Sequence, residues 1–294
     1  MAGKRRLLSL ADKVFVVVGN VDTLGRGIAS ELLKQGATVV LPSKSESALV
    51  KSRELLGNPA GLCTILGDFQ TGACVDAPSA VNAIRSTFKC IHGVVAHGGL
   101  VRGDDSSDSV LRGKSMLECE VGEILRDISD TLGMHVNAAQ ALLPLLVPSA
   151  ARGQGNSPSY TLVTGGFENQ FFESQLQAEV FTLTSLHGLS VALRNAKSRL
   201  PVRINELRIA LQINRAERDR EREPRFTPLS RDIGRIAASL ATGNRALNPD
   251  GSRFSVNSNA ELSSLISKLK EHETCSKARD LFEICLQSDK SLPL

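Results

Sequence analysis

The sequence has no tryptophan and a single tyrosine, Tyr160, and aromatics make up only 4% of its 294 residues. So few rings argue against the stacked-base platforms by which proteins grip single-stranded nucleic acid. No charge imbalance takes their place: 35 basic residues meet 31 acidic ones, spread along the chain, and the net charge of +4 points to no nucleic-acid partner. No stretch approaches the roughly eighteen uninterrupted apolar residues of a membrane-spanning helix. The six cysteines (Cys63, Cys74, Cys90, Cys119, Cys275 and Cys285) never form CxxC or another tight metal spacing. They read as reduced thiols filling the interior of a protein in a reducing compartment. The first residues are basic at Lys4, Arg5 and Arg6, but a strand begins near Val14 and leaves no room for the apolar part of a cleavable leader. The expected location is cytoplasmic.

What is present is a rhythm. Val14 to Val18 is a continuous apolar run ending at Gly19, the pattern of a parallel strand buried on both faces. Ile28, Leu32 and Leu33 follow at helical spacing, with Gly36 as a stop signal. Further strands are expected at 38–41, halted by Pro42, and at 62–66, 91–96, 160–164, 202–207 and 253–256. Helices are expected at 45–56, 77–88, 124–146 (broken near Pro144), 176–198 and 233–240. Segments 100–115 and 150–158 read as loops, and 215–225, five Arg among four acids, as a solvated linker or exposed helix. Alternating strand and helix predicts an α/β fold, a Rossmann-type doubly wound parallel sheet with helices on both faces. Residues 1–258 form that domain. Leu262, Leu265, Ile266 and Leu269 lie at helical spacing, so 259–294 reads as a helical extension packing on it.

The turn after the first strand reads Val18-Gly19-Asn20-Val21-Asp22-Thr23-Leu24-Gly25-Arg26-Gly27. Glycines between a strand and a helix let backbone approach a pyrophosphate at the helix N-terminus. The segment resembles the TGxxxGxG motif of the short-chain dehydrogenase/reductase family, with Val18 for the Thr and Thr23 for the middle Gly. Gly19 and Gly25 then match the outer glycines, and Thr23 and Leu24 complete the loop. A second register uses Gly25 and Gly27. The resemblance extends over about residues 12–256. Asp68 falls where the family has an Asp near the adenine, and Ala96-His97-Gly98-Gly99 stands for NNAG, keeping Gly99. His135-Val136-Asn137 is similar to the segment whose Asn supports the active-site Lys, and Ile204-Asn205 to the sixth-strand VN pair. Lys44, beyond the second strand between Ser43 and Ser45, offers a cation where an acid would select NADH. That charge logic favours NADP(H). A solvated surface lysine is the competing reading.

In that family a Tyr gives or takes the proton, a Lys four residues later lowers its pKa, and a Ser on the fifth strand orients the carbonyl. No YxxxK occurs in this chain. Aligning Leu189-Ser190-Val191-Ala192-Leu193 with the family's helix puts Glu179 at the Tyr position and Leu183 at the Lys position. The Ser position falls at Thr164 or Gly165, so of the four family residues only Asn137 is kept. Thr164 and Glu179 are the remaining catalytic candidates. His97, His135 and His187 join Glu179 as residues expected near the C-terminal edge of the sheet. The sequence therefore implies a catalytically degenerate member of the fold, a nucleotide sensor or an interaction subunit. The alternative is a divergent NADPH-dependent oxidoreductase acting on a carbonyl or hydroxyl substrate. The resemblance further implies a homo-oligomer or a subunit of a larger assembly, joined through the helices at 124–146 and 176–198.

Overall fold

The computed structural model describes residues 10–19, 21, 23–69, 77–98, 116–151, 157–165, 179–196, 201–211, 230–247 and 253–289. The expected loop at 100–115, residues 152–156 of the loop expected at 150–158 and the Arg-rich run at 215–225 lie outside them; residues 150 and 151 are helical and not part of a loop.

The strands are β1 (Val14–Val18), β2 (Thr38–Ser43), β3 (Leu62–Leu66), β4 (Gly93–His97), β5 (Ser159–Gly165), β6 (Arg203–Ile209) and β7 (Arg253–Val256). All pair in parallel, in the order β3-β2-β1-β4-β5-β6-β7. The helices are α1 (Thr23–Lys34), α2 (Glu46–Leu56), α3 (Ala77–Thr87), α4 (Val121–Ala151), α5 (Glu179–Ala196), α6 (Ser230–Thr242) and α7 (Asn259–Asp289).

Two apolar layers sandwich the sheet because alternate strand residues face opposite sides. Phe15, Val17, Val95, Val163 and Leu207 face Leu24, Ile28 and Leu32 of α1, Ile236 of α6 and Ile266 of α7. Val16, Val94, Tyr160, Leu162 and Ile204 face Ile84 of α3 and Ala138, Leu142 and Leu146 of α4. Each fully buried Val, Leu or Ile contributes about 1.5–3 kcal/mol, so this doubly covered sheet is the dominant source of stability.

Proline departs twice from the sequence expectation. Pro42 does not stop β2; it pairs with Ile65 inside the strand. The β1–β2 ladder is registered only as far as Val16↔Val40, so no β1 partner needs the missing N–H. Pro144 does not break α4, which runs through Pro144 and Pro148. An interior Pro costs about 3 kcal/mol; here Leu142, Leu143 and Leu146 are buried around an exposed Pro144, and their packing holds the helix.

The ends of α2 follow the sequence closely, whereas the helix expected at 124–146 extends over 121–151. Ser45 is the N-cap of α2, its hydroxyl accepting from the Ala48 N–H, and Gly57 closes the same helix with φ 75. The last turn of α6 lands on polar strand residues. Arg203 donates to the carbonyls of Leu240, Ala241 and Ser157, Asn205 donates to Leu240 and Ser159 to Ala241. A guanidinium on the terminal carbonyls complements the negative end of the helix dipole.

Candidate functional site at the C-terminal edge of the sheet

Strand order reverses between β1 and β4, and ligands of open α/β sheets bind outside the strand ends at such a switch point. Gly19 ends β1 there with φ +129, a conformation side chains rarely adopt. A Cβ on it would lie 2.1 Å from the His97 carbonyl oxygen and 2.8 Å from the His97 ring, so β4 closes directly against the turn. Thr23 begins α1, and Leu24 and Gly25 are buried in its first turn. Gly27 plays a different part. A Cβ on it would lie 2.1 Å from the Ser230 carbonyl oxygen of α6, so this glycine serves helix packing.

On the other side of β4, Gly98 lies under Met134: a Cβ there would be 2.5 Å from the methionine methyl and 3.9 Å from His135 Nε2. His135 is completely buried, and neither ring nitrogen meets the geometry of a hydrogen bond. Burial drives its pKa down to about 4, which the nearby Gly98 backbone only partly offsets and the neighbouring His97 lowers further.

Asp68 and Asn137 converge on one residue. The Asp68 carboxylate accepts the Phe69 N–H at 2.7 Å, and the Asn137 amide donates to the Phe69 carbonyl at 3.1 Å. Together they fix the chain where it leaves β3. Lys44 is exposed beyond β2. Of the hydroxyls beside it, that of Ser45 is engaged as the α2 cap. Gly99 lies outside the described residues, as do the side chains of Thr23 and Glu179.

The backbone of this region suits the phosphate end of a dinucleotide: a positive-φ glycine, a helix beginning four residues later and a buried Gly25 in its first turn. The reacting end differs. Leu183, which the sequence alignment puts at the position of the family's Lys, is buried, and Thr164 is completely buried. The Thr164 hydroxyl donates to Glu206 at 3.3 Å.

Glu206 is the centre of a cluster that reading the sequence for motifs passes over. Fully buried on β6, it accepts from Arg208 Nε at 2.7 Å and Nη2 at 3.4 Å and from Ser190 at 2.7 Å, with Arg194 Nη2 3.7 Å away. The available signal was a Glu and an Arg two residues apart in a strand whose every residue is buried. His187 lies beside it, Nε2 2.9 Å from the Gly165 carbonyl, its pKa lowered mainly by burial. Tyr160, the one phenol, is enclosed in the core with no partner for its hydroxyl, and burial pushes its pKa up. It is a packing residue.

Among the described residues no group of three His, Cys, Asp or Glu could hold a metal ion. No helix among them is long and apolar enough to cross a membrane.

No family model matches the sequence, and no curated protein matches it. Solved structures do resemble it. RhlG of Pseudomonas aeruginosa, in an active-site complex with NADP, superposes with a TM-score of 0.68 at 18% identity, covering 86% of this chain and 98% of that one. A short chain dehydrogenase from Shigella flexneri 2a complexed with NADP gives 0.65 at 18% identity, over 85% of this chain and 99% of the other. A Brucella melitensis protein described as a short-chain dehydrogenase/reductase and glucose/ribitol dehydrogenase gives 0.61 at 19% identity, over 85% and 96%. With identities this low, the likeness fixes architecture: the chain has the Rossmann-type fold of the short-chain dehydrogenases/reductases.

Proposed function

We propose that this protein binds NADP(H) at the switch point without carrying out hydride transfer, and acts as a nucleotide sensor or as a subunit of an assembly. The observation that carries this reading is the burial of the reacting end. The Thr164 hydroxyl is committed to Glu206, and an apolar Leu183 stands where a cation would stabilise a phenolate. A phenol with pKa near 10 is a poor base at neutral pH without such a cation. NADP(H), when bound, supplies or accepts a hydride. Gly19, Thr23, Leu24 and Gly25 would hold its pyrophosphate, Asp68 and Gly99 would lie along the adenine and ribose, and Lys44 would take the 2′-phosphate. Cys63, Cys90 and Cys119 are thiols and not half-cystines, in keeping with a cytoplasmic protein.

Pairing of two copies through α4 and α5 is part of the same reading. The exposed side of α5 carries Phe181, Thr184, Gly188 and Val191, none of them charged, and that of α4 carries Val121 and Leu125 beside the charged Arg126 and Asp130. Apolar surface of this kind suits a subunit interface.

Calorimetry with NADPH and NADH on the full chain tests the nucleotide part. NADPH is expected to bind about tenfold more tightly, a difference of roughly 1.4 kcal/mol, and Lys44→Ala to erase the preference. No heat with either nucleotide would overturn it. Turnover of a carbonyl panel with NADPH that Glu179→Ala abolishes would replace the non-catalytic reading with that of a divergent oxidoreductase.

A further inference from the structure

At the N-terminal end of β4 a thiol and an imidazole face each other. Cys90 Sγ lies 4.0 Å from His92 Nε2. Backbone holds the other side of the ring: the Val14 N–H donates to His92 Nδ1 at 3.1 Å, while the His92 N–H donates to the Val14 carbonyl at 2.7 Å. An Nδ1 that accepts a hydrogen bond carries no proton, so the neutral ring keeps its proton on Nε2, the nitrogen facing the sulfur. The fold thus sets an N–H donor beside a partly exposed thiol. This tautomer decides what the pair can do. A metal ion needs the Nε2 lone pair, which the proton occupies, and moving that proton to Nδ1 would break the Val14 bond. For the same reason Nε2 does not draw a proton from the thiol. What remains is hydrogen-bond donation. The sulfur at 4.0 Å is far for it, but an oxygen bonded to that sulfur can lie about 2.9 Å from Nε2.

We propose that Cys90 is a site of oxidation by hydroperoxides, with the His92 N–H holding the oxygen that the sulfur gains. The thiolate sulfur attacks one peroxide oxygen; the S–O bond forms as the O–O bond breaks, and the electron pair of that bond leaves on the second oxygen. The leaving oxygen takes up the proton that the thiol released. Thiol and hydroperoxide so become sulfenic acid and water or an alcohol, the sulfur oxidised by two electrons and the peroxide reduced by two. His92 keeps its proton throughout and donates a hydrogen bond where negative charge develops on oxygen. The added atom selects the class. A hydroperoxide delivers an oxygen, which accepts an N–H, whereas an alkylating agent adds carbon and a disulfide adds sulfur, which accept poorly. The pair does not line the nucleotide crevice: the five residues of β4, about 16 Å, divide it from the switch point.

Brief exposure of the full chain to hydrogen peroxide is the test, with dimedone to trap sulfenic acid and peptide mass spectrometry to locate it. Cys63 and Cys119 are also partly exposed and serve as internal controls. Burial raises the Cys63 pKa, which Arg53 only partly offsets. Cys90 is expected to be trapped about tenfold faster than either, the effect of one hydrogen bond to a charged oxygen. In His92→Asn the side-chain oxygen can still accept the Val14 N–H, but no donor stands at the Nε2 position. Trapping at Cys90 should then fall to the rate of the controls, with Cys63 and Cys119 unchanged. In urea the wild-type preference should vanish, a comparison that needs no variant to fold. Trapping at Cys90 no faster than at the controls, a preference kept in His92→Asn, or one that survives unfolding would each overturn the proposal. Failure of NADPH to bind would leave this result untouched.

Discussion

Gly27 of α1 and Gly234 of α6 meet backbone against backbone: a Cβ on Gly234 would lie 2.3 Å from the Gly27 carbonyl carbon. Neither atom belongs to a flexible side chain that could swing away. Gly234→Ala must therefore push the helices apart and open the layer containing Leu24, Ile28 and Ile236. The expected loss is about 3 kcal/mol, or a fall in melting temperature of roughly 5 °C. Thermal denaturation of Gly27→Ala and Gly234→Ala checks this, and a wild-type melting curve would mean that the crossing lies elsewhere.

Glu206→Gln leaves Arg208 enclosed without a counter-charge. Breaking a buried pair in this way costs about 3–5 kcal/mol. Replacing both partners together, as Glu206→Leu with Arg208→Met, removes the stranded charge and should recover most of that loss. Urea unfolding of the single and double variants measures the difference. Equal destabilisation by both would show that packing, and not charge, is what Glu206 contributes.

His135 sets a lower pH limit on stability. Its folded pKa of about 4 lies below the unfolded value near 6.5, so the unfolded chain binds a proton that the folded chain refuses. The stabilisation is complete above pH 6.5 and is lost as pH falls from there to about 4, to a total of about 3 kcal/mol. His135→Phe, similar in volume and without a titrating nitrogen, should flatten the stability profile over that interval. A profile that keeps its slope in the variant would assign the effect to other groups.

Arg203→Met keeps the aliphatic stem and removes the three carbonyl contacts to Leu240, Ala241 and Ser157. Hydrogen bonds from a charged donor contribute roughly 1.5–3 kcal/mol each in isolation, and the combined loss is expected to be about 3 kcal/mol. Circular dichroism melts would report it, and a neutral outcome would mean that water replaces the guanidinium at the helix end.

The fold was legible because its signals are local. A five-residue valine-rich run, a capping Ser45 and a Gly36 stop each act through near neighbours, and β1, β3 and β7 fall at the residues the sequence indicates. Pro42 and Pro144 misled because tertiary pairing and packing override the intrinsic cost of proline. The site was harder to read. Asp68 and Asn137 were singled out separately, yet nothing in their spacing reveals that both hold Phe69. Glu206 and Arg208 look like surface charges until β5, β7 and α5 are placed around them. Gly27 carried a glycine signal whose cause, an approaching α6, lies at the far end of the chain.

That crossing has a consequence for synthesis. α1 emerges early from the ribosome, but the helix that covers it is among the last elements made. Until α6 arrives, the Gly27 side of α1 and the sheet face carrying Val95 and Val163 lack their cover, and an apolar surface stays open to water. A product truncated before residue 230 is therefore expected to aggregate rather than persist as a smaller folded unit.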